Sequence, residues 1–182
     1  MKKIAVFAAA LVFTFVGSAM AGPAPQKVVD LANGALAELG KDKVVVKEVR
    51  LQNADAMGIN QIKAIDAEWI AAKKAGQKLP IMMEKMGNTC AKRLKELMAQ
   101  HDFITEIFVT DNQGANVGQT AMTGDYWQGD EAKFQKVYKG SVLVSDVEVD
   151  DGKNISQVSV PVMMGKRHVG TMTIGVDVDK VP

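Results

Sequence analysis

Residues 155–178 read ISQVSVPVMMGKRHVGTMTIGVDV, and this stretch decides the fold. Val158, Val160, Val162 and Met164 fall on every second position. That is the period of a strand with one face toward a core. Gly165-Lys166 then turns the chain, and Met172, Ile174, Val176 and Val178 repeat the alternation. A turn this short makes the two strands antiparallel neighbours. Pro161 has no N–H to give to a ladder, so its position is expected at an edge or a bulge.

Working outward, SVLVSDVEVD (141–150) reads as another strand, with DDGKN (150–154) as its turn. ITEIFVTDNQGANVGQT (104–120) reads as strand, turn and strand, with the turn chemistry in Asp111-Asn112-Gln113-Gly114. Between them, 130–139 suggests a short helix with Phe134 and Val137 inward and Gly140 at its end. The first half has the helical period instead. Val28, Ala32, Leu36 and Leu39 share one face of 26–39, which stops at Gly40. Residues 43–58 carry strand-forming valines, yet Val45, Val49 and Ala56 fit a helical face, and a helix is expected. Residues 60–75 place Ile62, Ile65, Trp69 and Ala72 together, with Asn60 as cap and Gly76 after the end. Residues 82–100 form a further amphipathic helix, on which Met83, Met86, Cys90, Leu94 and Leu97 make one stripe. The expectation is an α+β fold with five antiparallel strands and helices layered on one side.

The N-terminus reads as an export signal. Lys2 and Lys3 precede an apolar run over 4–16, and Ala19-Met20-Ala21 suits cleavage after Ala21. The run is shorter than the roughly 20 residues a membrane span needs, although an uncleaved anchor is the alternative. A periplasmic protein of one domain, 22–182, is expected, with a helical region 26–100 and a sheet region 103–178. Without Lys2 and Lys3 the chain has 20 basic and 21 acidic side chains, which gives nucleic-acid binding no electrostatic support. The lone cysteine, Cys90, cannot form an internal disulfide and is expected to be buried on its helical stripe.

Three stretches together resemble a known group: EIFVTDNQGANVGQT (106–120), TGDYWQGDEAKFQKVYKG (123–140) and QVSVPVMMGKRHVGTMTIGVDV (157–178). They resemble the extracytoplasmic PAS-like sensor domains, also called PDC or Cache domains. The single-domain periplasmic type with a DYWQGDEAK segment (125–133) is the nearest in pattern, and NADAMGINQIKAIDAEW (53–69) is similar to its N-terminal region. The resemblance implies long N-terminal helices packed on a central antiparallel sheet. It also implies a pocket on one sheet face and small-molecule sensing without catalysis. Members of the group fused to output domains carry a second membrane helix. None follows here before Pro182, so whatever is sensed is expected either to pass to a separate membrane sensor protein or simply to be held. The helices also leave room for a homodimer.

The candidate site is built on DYWQGDE. Once the signal is removed, seven aromatic residues remain, and four of them lie within 126–138. In an extended Asp-Tyr-Trp, neighbouring side chains face opposite ways, so one ring is buried and the other meets a ligand, a partner or solvent. Tyr126 or Trp127 would wall a pocket for a small organic ligand, with Asp125 as its charged anchor. An acid opposite an aromatic ring suits a cation. Asp130 is either part of that site or, with Glu131, the start of the 130–139 helix. Trp127 is either the wall or a lock on the loop. Asp146 joins the candidates because the resemblance places its strand beside the pocket.

Other chemistries have weaker signals. Asp146, Glu148, Asp150 and Asp151 offer oxygens for calcium but match no EF-hand spacing, and a solvated hairpin end explains them as well. Met82, Met83, Met86 and Met163-Met164 raise Cu(I), although methionines also fill cores. No metal or cofactor is expected. His101 and His168 stand alone, and the chain has no HExxH, GxSxG or CxxCH motif, so no enzyme is expected. A PAS-like docking module with a filled pocket is the rival to ligand binding.

Overall fold

The computed structural model describes residues 20–138 and 140–182. The basic residues and apolar run of the export signal lie outside them. The described strands are β1 (Met20–Gly22), β2 (Ile104–Thr110), β3 (Asn116–Gln119), β4 (Leu143–Val144), β5 (Val147–Asp150), β6 (Lys153–Met164) and β7 (Arg167–Asp177). The helices are α1 (Gln26–Asn33), α2 (Ala35–Leu39), α3 (Lys43–Ala54), α4 (Ile59–Lys74), α5 (Pro80–Gly87), α6 (Thr89–Met98) and α7 (Ala132–Gln135).

The β6–β7 hairpin is the centre of one antiparallel sheet, paired from Ile155↔Asp177 to Met164↔Arg167. The strand order is β1-β5-β6-β7-β2-β3, and β4 lies beside β6. The expected strand over 141–150 is broken into β4 and β5 around Ser145 and Asp146. Only the Lys153–Ser159 part of β6 has β4 or β5 on its outer side, so Pro161 sits at an edge, where no second ladder needs its N–H. A neighbouring gap is closed by a helix end: the Met163 amide donates to the Gly40 carbonyl at 2.9 Å. A side chain on Gly40 would collide with the Pro161 carbonyl, so glycine is what lets the end of α2 approach the strand.

One face of the sheet is apolar. Val158, Val160, Val162, Met172, Ile174, Val176, Ile107 and Val109 are buried under α1, α2, α3 and α6, which contribute Val28, Leu36, Val45, Val49 and Leu94. Each such side chain contributes roughly 1.5–3 kcal/mol by leaving water. Cys90 belongs to this core, as its helical spacing suggests, and burial pushes its thiol up to about 12. The thiol therefore acts as a small hydrophobe.

The helical half is more segmented than its periodicity suggests. Asn88 divides the expected 82–100 helix: its side chain accepts from the Ala91 amide at 2.8 Å and donates to the Val117 carbonyl at 2.7 Å. It caps α6 and ties it to β3. The break shifts the phase of α5, so Met82 is buried and Met83 is 52% exposed, a correction to the expected stripe. Gly34 divides the 26–39 stretch in the same way, and α4 begins after Gly58, which leaves Asn60 inside the helix and not at its cap. The two helices α4 and α5 contribute to a second cluster, in which Ile62, Trp69, Ala72 and Met82 pack with Ala115 and Tyr126.

The seating of α6 on β3 depends on Gly118. A Cβ there would stand 2.7 Å from Cys90 Cβ and 2.9 Å from the Ala91 amide nitrogen. We expect Gly118→Ala to destabilise the fold by about 1–3 kcal/mol through overpacking, measured by urea denaturation.

Candidate functional site

The opposite face of the sheet is polar yet covered. Thr110 and Thr171 share a hydroxyl bond of 2.7 Å, Ser159 and Thr173 one of 2.9 Å, and all four residues are buried. Phe108 lies across from Thr173, and Glu106 and Gln157 both pair with Gly175. A side chain at Gly175 would strike Thr105 and Glu106, so glycine there makes room for the acid. The segment from Ala121 to Tyr138 runs over this face.

That segment is held by backbone bonds. The Asn116 amide donates to the Tyr126 carbonyl at 3.0 Å, and the Gln128 amide to the Gly114 carbonyl at 2.8 Å. Asp66 on α4 accepts from both the Tyr126 and Trp127 amides, at 2.8 and 3.0 Å. Trp69 donates its indole N–H to the Thr123 carbonyl, and Lys73 donates to the Met122 and Thr123 carbonyls. The second hydrophobic cluster thus anchors the cover.

These contacts correct the placing of the two rings. Tyr126 is fully buried in the second cluster, with its ring 5.7 Å from Trp69. Burial also holds its phenol above the ordinary range. Trp127 is half-buried, donates its indole N–H to the Gln113 carbonyl at 2.8 Å and carries the Lys63 ammonium 4.6 Å above its ring. Neither ring is in the lining of the hollow that Asp125 faces. The alternation expected of Asp-Tyr-Trp is present, but it turns Tyr126 toward α4, and the lock reading describes the contacts of Trp127.

A hollow of about 230 Å3 does lie between the cover and the polar face, with Asp125 in its lining. Its other walls include Glu106, Phe108, Met122, Gln128, Glu131, Lys133 and Gln157. Asp130 and Asp146 are exposed and lie outside it. Asp130 does not cap a helix either: α7 starts at Ala132, and Glu131 is its N-cap residue without a side-chain bond. Glu131 instead pairs with Lys133 at 2.9 Å.

Electrostatically the hollow is crowded with acceptors. Burial raises the Glu106 carboxyl above its ordinary 4.5, partly offset by Lys133. Burial, followed by the charge of Glu131, raises Asp125 above 3.8. Lys133 supplies the cation, 5.3 Å over the Phe108 ring. Gln128 is 2% exposed and donates through Nε2 to Asp125, while its Oε1 has no hydrogen-bond partner. A buried acceptor left unpaired costs about 1–3 kcal/mol.

Glu106, Phe108, Gln128, Lys133 and Gln157 were not among the residues expected from sequence. A signal existed: Glu106 interrupts an otherwise apolar ITEIFVT, and Gln157, Ser159, Thr171 and Thr173 alternate with the core residues. No three of His, Cys, Asp or Glu are grouped to hold a metal among the described residues. Glu148, Asp150 and Asp151 are exposed along β5 and its turn, and Met82 and Met83 differ in burial, one inside and one outside.

No family model matches the chain, and no curated protein matches it. Among solved structures it is similar to the sensor domain of the Vibrio cholerae histidine kinase DctB, at 11% identity and a TM-score of 0.46. That match covers 86% of this chain and 52% of the other, so the chain spans about half of that structure. It is similar to the ligand-binding domain of the Pseudomonas aeruginosa amino acid chemoreceptor PctC in complex with GABA, at 16% identity and a TM-score of 0.39 over 84% and 66% of the two chains. A third similarity is to the ligand-binding domain of the Campylobacter jejuni chemoreceptor Tlp3 in complex with 4-methylisoleucine, at 11% identity and a TM-score of 0.41 over 86% and 60%.

The raised Glu106 carboxyl has a measurable consequence. A carboxyl raised by folding favours the folded state only while protonated, and that contribution is lost as pH rises through the folded value. Glu106→Gln, which stays neutral, is therefore expected to raise the melting temperature at pH 7.5. The gain should shrink as pH falls and vanish below about 4.5. A pH series of thermal denaturation checks this.

Proposed function

We propose that this chain is an exported, PAS-like binding module that holds a small organic cation between its polar sheet face and the 121–138 cover. The observation that carries the reading is the set of three carboxylates, Glu106, Asp125 and Glu131, that line one hollow with a single lysine, Lys133. An ammonium donates several hydrogen bonds and brings a positive charge, and both would be satisfied there. Phe108 offers a ring face to the cation, and Met122 an apolar wall. Tyr126 and Trp127 act as positioning residues, because they fix the backbone that carries Asp125 and Gln128. Asp130 and Asp146, candidates from the sequence, have no role in this arrangement. About 230 Å3 is below the usual volume of a drug-sized pocket, so the ligand has few heavy atoms.

The module binds without turnover in this reading. It acts in the periplasm as one domain, 22–182. A signal would pass to a separate membrane protein in this reading; among the described residues no helix is long and apolar enough to cross a membrane. Ligand would bias one packing of the cover over another, and the partner would read the difference. The helical half leaves room for a homodimer.

One observation favours a second reading. The Lys133 ammonium already stands over Phe108 and against Glu131, where a cationic guest would bind. A docking module whose own lysine fills the site would look the same.

A thermal-shift screen of amines, amino acids, carboxylates and purines, with native mass spectrometry of protein purified from its own periplasm, tests both. Small amines should raise the melting temperature, and Glu106→Gln or Asp125→Asn should weaken them by about tenfold or more. Stabilisation by carboxylates alone would overturn the cationic reading. If no compound shifts the wild type or Lys133→Ala, and none co-purifies, the docking reading stands.

A further inference from the structure

Arginine is scarce in this protein. There are three, against nineteen lysines, and their placement is uneven. Arg93 is fully engaged: it bonds Asp42 through Nε and Nη2 at 3.0 and 2.9 Å, and Glu96 through Nη1 at 2.7 Å. Arg50 and Arg167 are far apart in sequence yet line the same hollow, of about 280 Å3. Neither has a carboxylate within ion-pair distance among the described residues. Asn53, Asn112, Tyr138 and His168 complete its polar lining, which contains no Asp or Glu.

The walls are fixed independently of any guest. Asn53, near the end of α3, donates to the Val169 carbonyl at 2.8 Å and accepts from the Asn112 amide at 2.9 Å. One side chain thus ties α3 to the β6–β7 hairpin and to the β2–β3 turn. The His168 ring contacts the Tyr138 carbonyl through Nδ1 at 3.2 Å and meets the Tyr138 ring edge-on. Arg50 is carried by α3, and Arg167 is the first residue of β7, paired with Met164. Tying α3 to the hairpin therefore holds the two guanidinium stems together.

We propose that this hollow binds a small oxyanion, a phosphate or a carboxylate, between Arg50 and Arg167. Two like charges in one concave site repel each other until a counter-charge enters. A guanidinium is always ionised and presents a planar fork of donors matched to two oxygens of one anion. The formal net charge of +1 shows that this is local concentration and not general basicity. The site is separate from the acceptor-lined hollow under the 121–138 segment and takes the opposite ligand charge, so it does not depend on that reading. A free anion and the headgroup of an anionic lipid share this chemistry.

The test is calorimetry on the full chain with inorganic phosphate and with acetate, and co-sedimentation with phosphatidylcholine vesicles containing phosphatidylglycerol. Arg50→Gln/Arg167→Gln removes both charges at exposed positions, and Lys166→Gln removes a neighbouring charge outside the hollow. Saturable binding of either free anion is expected, weakened by about tenfold or more in the double variant and less than about twofold in Lys166→Gln. Vesicle binding with the same pattern would assign the anion to a headgroup. The proposal is overturned if none of the three probes binds saturably, if the double variant binds as the wild type does, or if Lys166→Gln loses as much as the double variant.

Discussion

The hydroxyl pairs Thr110–Thr171 and Ser159–Thr173 mark the constraint on which the rest of this structure depends. A half-buried sheet normally leaves its polar face to water. Here that face is buried as well, so every polar group on it must find a partner within the protein. Pairing the hydroxyls across neighbouring strands satisfies the centre of the face. What remains toward the start of β2 is Glu106 with Gln157, both in the lining of the hollow. The cover must then bring polar groups of its own, and it does so with Asp125, Gln128 and Lys133.

The cover buries Phe134 and Val137 and is also held from the side. Asp66 is the clearest device. One carboxylate oxygen takes two successive amides, from Tyr126 and Trp127, which leaves the chain no freedom to slide along α4. The Tyr126 ring then fills the second cluster against Trp69, and the Trp127 indole reaches back to Gln113. This explains why two large rings stand beside acids in DYWQGDE. The rings supply the burial that anchors the segment, and the acid and amide on either side are then free to face the hollow. Anchoring thus falls to the two inner residues of one short stretch, and the lining of the hollow to the residues that flank them.

The same division explains what the sequence shows and what it hides. The strands are legible because Val158, Val160 and Val162, with Met172, Ile174 and Val176, repeat a local period that no other element shares. Helix breaks are not legible in this way. Asn88 ends a periodic run because its side chain bonds the Val117 carbonyl on a strand not yet formed when the helix is read alone. Tyr126 and Trp127 stand out by composition, but composition does not say toward which neighbour a ring turns, and Asp66 decides that from another element. Glu106 and Gln157 are masked by the apolar residues that identify their strands. Of the acids in the candidate site, Asp125 lines the hollow, while Asp130 and Asp146 are exposed because no element covers them.

Charge is distributed by the fold in a way the formal balance conceals. A net charge of +1 is ordinarily read as indifference to ligand charge. Yet β2 runs from Glu106, in a hollow rich in carboxylates, toward Asn112, in a hollow lined by two guanidiniums and no carboxylate among the described residues. At strand rise the interval is roughly 20 Å, about twice a screening length at physiological salt. At that distance neither hollow neutralises the other, and each keeps its own demand for a counter-charge. If one small molecule carried both an ammonium and a carboxylate, it could not reach from one to the other. On this argument the two proposed sites take different molecules.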